Sequence, residues 1–195
     1  MNEEKNDSKN RIIKSAIKLI GEKGSLRITI RDIAAEAQVN IAAVNYYFRS
    51  KNILLKEIEE YFNLEVASIS HVLKDEKIDA RERLLCWAEK YMDYLAENPG
   101  VIWTLGSKVL VRESISSSLE NFFAEIDIPL INLISEITGI NDKLIISLKK
   151  IQIISGIINP LLMYYGVGKD FGADFDDKNI RKVHIKMLVN SILSC

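Results

Sequence analysis

Chemistry by nucleophile, acid–base pair or metal ion has little to work with in this sequence. Its only histidines, His71 and His184, have no second histidine or cysteine at i+3 or i+4, the spacing a helical metal site uses. No paired carboxylates or nucleophile–base motif stand out. Gly166, Gly168 and Gly172 do not fit G-x-G-x-x-G, and Lys169 is followed by Asp170 rather than Ser or Thr, which excludes a P-loop. The acidic tract 170–177 lacks the alternation and the Glu of an EF-hand. An enzyme, a cofactor and a metal site are therefore not expected. The chemistry that does stand out is hydrogen bonding: residues 29–51 read TIRDIAAEAQVNIAAVNYYFRSK, crowding two asparagines and two tyrosines into a short helical stretch.

Those groups need elements to hold them, and the spacing supplies helices throughout. Ile13, Ala16, Ile17 and Ile20 follow the i, i+3, i+4, i+7 rule, as do Ile30, Ile33, Ala34 and Ala37. Thr29 with Asp32 three residues on has the form of a capping box. AQVN then interrupts, and Asn40 is placed to cap a second short helix with Val44 and Phe48 facing inward. Two short helices and a tight turn make a helix-turn-helix. Such a second helix lies in the major groove, so Ala42 and Ala43 let the backbone approach while Asn40, Asn45 and Tyr46 reach bases or phosphates. Breaks at 21–25, 97–100, 138–142 and 166–177 separate further helical stripes, among them Leu84, Trp87, Ala88, Tyr91 and Leu95. No segment needs to be a strand. The expected fold is all-α, with a helix-turn-helix head over 1–50 and a helical body over 51–195.

The run TIRDIAAEAQVNIAAVNYYFRSKNILLKEI, preceded by SKNRIIKSAIKLIGEKG, resembles the TetR family of bacterial transcriptional regulators over roughly the first 60 residues, with Thr29, the Tyr47–Phe48 pair, Ser50 and Lys51 in register. The resemblance implies a three-helix DNA-binding head and a helical ligand-binding and dimerisation body. Together with the side-chain chemistry it assigns Thr29, Tyr47 and Lys51 to phosphate contacts, and Arg31, Asn40, Ile41, Ala42, Asn45 and Tyr46 to base or groove contacts, with an A·T-leaning half-site. One departure is Gln38, where the family often has Gly and a left-handed backbone is expected.

In the body, Leu148, Ile151, Ile154, Ile158, Leu162 and Tyr165 form one apolar stripe and Ile153, Ile157, Leu161 and Tyr164 another, more than one internal core requires. With Met187 on the last helix, the first stripe is the expected homodimer interface, a four-helix arrangement that the resemblance implies. Trp87, Tyr91, Trp103, Phe122 and Phe123 are together the candidate lining of a pocket for a small hydrophobic effector, although each taken singly fits plain core better. The expected function is a repressor released from a palindromic operator by that effector; the rival is a helical interaction adaptor with a degenerate head.

Composition agrees with this division. The 195 residues are 48% apolar and 27% charged, enough for one or two folded domains. Residues 1–51 hold 10 Lys+Arg against 6 Asp+Glu, a net of +4, while 52–195 hold 16 against 21, a net of −5. A basic head on an acidic body suits a nucleic-acid partner. The start MNEEKNDSKN has no apolar core for a signal peptide, the stretch 151–165 is short and polar for a bilayer, and Cys86 and Cys195 offer no disulfide framework. A cytoplasmic protein without a membrane partner is expected.

Overall fold

The computed structural model describes residues 2–111, 117–169 and 172–193, with side chains described outside 2–6, 108–111 and 117–125. All regular structure among them is helical: α1 (Asn2–Lys23), α2 (Ile30–Glu36), α3 (Ile41–Tyr47), α4 (Lys51–Ser70) with a 3-10 turn at His71–Lys74, α5 (Ala80–Glu97), α6 (Pro99–Val111), α7 (Ser117–Thr138), α8 (Lys143–Val167) and α9 (Lys178–Leu193). Contacts group Met1–Leu64 with Asn98–Ser118 as one compact unit, and Glu65–Glu97 with Leu119–Cys195 as a second.

In the first unit, the expected stripes form the core: Ile13, Ala16, Ile17, Ile20, Ile33, Ala34, Ala37, Val44, Phe48, Leu54, Ile58 and Phe62 are all buried. The sequence pattern does not disclose that α6 joins this unit and packs along α1. The crossing is backbone on backbone. A Cβ added to Gly100 would lie 1.9 Å from the Ile17 carbonyl oxygen, and one on Gly21 would lie 2.9 Å from the Pro99 ring. Only glycine lets two helix backbones come this close.

In the second unit, Leu84, Trp87, Ala88, Tyr91 and Leu95 of α5 are buried as their spacing requires, and α5 packs with α8 and α9. Ile153, Ile157, Leu161 and Tyr164 give α8 its internal face. Lys149 shares that face, its ammonium group donating to the Ile192 carbonyl near the end of α9. Two buried arginines are likewise anchored by hydrogen bonds. The Arg83 guanidinium donates to both carboxylate oxygens of Glu136, at 2.8 and 2.9 Å, and to the Leu73 carbonyl. Arg181 pairs with Asp93 at 2.7 Å and also donates to the Phe175 and Asp176 carbonyls, fastening the loop before α9. At 25 residues, α8 extends beyond the stretch 151–165 and is, by length and composition, long and apolar enough to cross a membrane. One face of it, with the buried Lys149, packs on α5 and α9.

Candidate nucleic-acid interface

Each short helix of the head is held by polar groups at its ends. α1 closes in a Schellman arrangement, with Gly24 at φ +56° and the Ser25 and Gly24 amides donating to the Ile20 and Gly21 carbonyls. Its last two turns then grip α2: Lys23 pairs with Asp32 at 2.9 Å and Lys18 with Glu36 at 2.6 Å. The capping box at the start of α2 is complete, since the Asp32 amide donates to Thr29 Oγ1 and the Thr29 amide donates to the Asp32 carboxylate, both at 3.1 Å. Lys23, with help from Thr29, holds the Asp32 carboxyl below its usual range.

The turn between α2 and α3 takes the left-handed form expected for it. Gln38 has φ +54°, and the Gln38 and Val39 amides return to the Ala35 and Ala34 carbonyls, closing α2 as Gly24 closes α1. Without glycine this conformation costs roughly 1 kcal/mol or more. Asn40 then caps α3, its Oδ1 accepting the Ala43 amide at 2.6 Å. Val44 and Phe48, both fully buried, turn the opposite face outward. On that face Asn40, Ile41, Ala42, Asn45 and Tyr46 are exposed, as are Thr29 and Arg31 beside them on α2 and its cap. Tyr47 is half-buried, with its ring edge-on to Tyr46 at 5.2 Å. Lys51 is half-buried, its ammonium group hydrogen-bonded to the Leu26 carbonyl. Ser50 Oγ accepts the Ile53 amide at 3.3 Å and starts α4. The nine residues assigned to DNA thus lie on α2, α3, their caps and the first residue of α4, but the polar atoms of Thr29, Asn40 and Lys51 already serve the head itself.

A model of bacterial regulatory proteins of the tetR family matches residues 12–58, the segment that contains this helix-turn-helix. Residues 12–58 are thus similar to the segment that this family model describes. Over 55 residues the chain is 38% identical to the probable HTH-type transcriptional regulator YttP of Bacillus subtilis, covering 28% of this chain and 27% of that protein. The match therefore spans about a quarter of the relative's length. The full-length likeness is structural. A linker-substituted mutant of HlyIIR superposes with a TM-score of 0.71 at 19% identity, covering 98% of this chain and 100% of that one. FadR from Bacillus subtilis, solved in complex with stearoyl-CoA, gives 0.66 at 19% identity over 92% and 96%. The likeness in fold thus extends along the chain beyond the head.

The aromatic side chains assigned to an effector pocket are distributed over both units. Trp87 and Tyr91 are buried and stacked at 5.5 Å in the second, where Trp87 Nε1 donates to Ser70 Oγ at 3.1 Å. Burial pushes the Tyr91 phenol well above its usual range, so it stays neutral. Trp103 belongs to the first unit, with its indole 3.7 Å from where a Cβ on Gly24 would stand and its Nε1 buried without a hydrogen-bond partner among the described residues. The side chains of Phe122 and Phe123 lie outside the described residues.

On α8, Leu148 and Ile151 are exposed by 51% and 55%, while Ile154, Ile158 and Leu162 are half-covered. Met187 on α9 is 67% exposed. Tyr165 differs from the rest of its stripe, because its hydroxyl donates to the Ala96 carbonyl and lies 3.0 Å from the Asp176 carboxylate.

Proposed function

We propose that this protein is a homodimeric transcriptional regulator, a repressor that binds a palindromic operator and is released by a small hydrophobic effector. The observation that carries the reading is the outward face of α3, where Ile41, Ala42, Asn45 and Tyr46 stand clear of a core sealed by Val44 and Phe48. A helix so short has little stability of its own. The Asn40 cap and the buried Val44 and Phe48 hold a presented surface in place, as a groove-reading element requires. In this reading residues 1–50 are the DNA-binding domain and 51–195 the effector and dimerisation domain, acting in the cytoplasm. The test is a gel shift of the duplex upstream of the protein's own coding sequence. A retarded band that fades as salt rises supports the reading, and no shift at low salt favours the rival, an interaction adaptor with a degenerate head.

Dimerisation through α8 and α9 is supported by how little of α8 the chain itself covers. In its most apolar window only 28% is buried, with Leu144, Ile145, Leu148 and Ile151 exposed. A second copy covering this stripe accounts for the excess and pairs two recognition helices on a palindrome. Ile158→Glu should shift sedimentation from dimer to monomer and weaken operator binding by orders of magnitude, since each half-site would then be held singly. A wild-type protein that sediments as a monomer while gripping a palindrome tightly would refute the interface.

For the effector, the stacked Trp87–Tyr91 pair is the favoured wall, and the bound stearoyl-CoA of FadR suits a ligand with a long apolar part. Effector and operator would oppose each other reciprocally, each weakening the other's binding by a factor of roughly 5–150.

A further inference from the structure

We infer that Ile41 is a sequence-reading residue, taking the C5-methyl group of a thymine in the major groove, with Asn45 one helical turn away reading an adenine. The inference rests on α3 being a recognition helix and goes beyond it by assigning the reading to particular atoms. An amide that reads adenine uses its acceptor and its donor together. Asn40 Oδ1 is turned back onto the Ala43 amide, so Asn40 is the cap of α3. Thr29 Oγ1 accepts from Asp32, and the Lys51 ammonium group donates to the Leu26 carbonyl. Asn45 is exposed and makes no side-chain hydrogen bond among the described residues, so both ends of its amide are available.

At about 100° per residue, the outward face runs in the order Ile41, Asn45, Ala42, Tyr46 across an arc of roughly 140°. Ile41 is 44% exposed and takes no share in the core that Val44 and Phe48 supply. The small Ala42 side chain beside it lets the helix approach the groove floor. Among the base-edge groups of the major groove, the thymine methyl is the apolar one, the complement to a branched aliphatic side chain on a groove-facing arc. Because Ile41 and Asn45 are about 6 Å apart along the helix axis, and bases are stacked at about 3.4 Å, the thymine and the adenine should lie about two base pairs apart.

The experiment selects binding duplexes from a pool with a randomised centre, using the full-length protein. Each thymine of one half-site is then replaced by deoxyuridine, which removes the C5-methyl and nothing else. For the wild type, one position should lose about fourfold in affinity, the worth of one methyl group taken out of an apolar contact. Ile41→Ala should bind the thymine duplex several-fold more weakly and be indifferent to deoxyuridine there, whereas Ile41→Val and Asn45→Ala should retain the methyl effect. A matching circular dichroism spectrum and melting temperature for Ile41→Ala keep the comparison on folded protein. Selected duplexes that are insensitive to deoxyuridine everywhere, or an Ile41→Ala variant that keeps the full methyl effect, overturn the inference and leave DNA binding standing. A pool that yields no duplex overturns the DNA-binding reading and this inference together.

Discussion

α3 and α8 are both helices with one face in and one face out, yet they are stabilised in different ways. α3 has seven residues and a single buried side chain within it, Val44. Its shape depends on the Asn40 cap, the Gln38 turn before it and Phe48 after it. α8 has 25 residues and a buried stripe running from Ile146 to Tyr164. Its shape depends on apolar area, with Asp142 Oδ1 capping its start through the Leu144 and Ile145 amides. A recognition element short enough to enter a groove has no room for a hydrophobic stripe, so local polar geometry does the work that burial does in the body.

If that contrast is right, the largest effect should come from the body. Leu161→Ala, at a fully buried position on α8, should lower unfolding free energy by about 2–5 kcal/mol in denaturant titration. A loss below 1 kcal/mol would mean that α8 is not held by its stripe. A smaller but more local effect is expected from Asn40→Ala, which removes the α3 cap and should cost about 1 kcal/mol. Asn40→Asp keeps an acceptor there and should restore stability while operator affinity falls, because the new charge faces phosphate. Equal stability of the Ala variant and the wild type would show that α3 does not need its cap. The smallest effect has the opposite sign. Gln38→Gly relieves the left-handed strain but adds unfolded-chain entropy, leaving a net gain of about 0.5–1 kcal/mol and a rise of about 2 °C in melting temperature. A fall in melting temperature would mean the Gln38 side chain contributes more than its backbone costs.

The same contrast explains what could be read from the residues. The capping box at Thr29 and Asp32 is a feature of four consecutive residues, so spacing alone discloses it, whereas the left-handed Gln38 was expected from the family resemblance. The two faces of α8 were legible because the 3.6-residue period repeats over 25 residues, enough to separate Ile153, Ile157 and Leu161 from Leu148 and Ile151. Asn40 was harder, since its side chain suits a cap and a base contact equally and only geometry shows which one its carbonyl serves. Lys51 has the same ambiguity, its charge fitting a phosphate and its reach fitting the Leu26 carbonyl. The place of Trp103 was not legible at all. An aromatic residue announces burial without naming its neighbour, and the unit that holds Trp103 is joined by contacts between segments far apart in sequence.

The glycine crossing of α1 and α6 bears on how this protein can be cut. A fragment ending after α4 would contain the whole helix-turn-helix, yet it would strip α6 from α1 and leave the backbone groove at Ile17 and Gly21 open to water. A minimal DNA-binding fragment should therefore carry residues 98–111 as well, fused after α4 by a short linker or supplied as a separate peptide. Gly100→Leu in that peptide would abolish its rescue, because no side chain fits beside the Ile17 carbonyl.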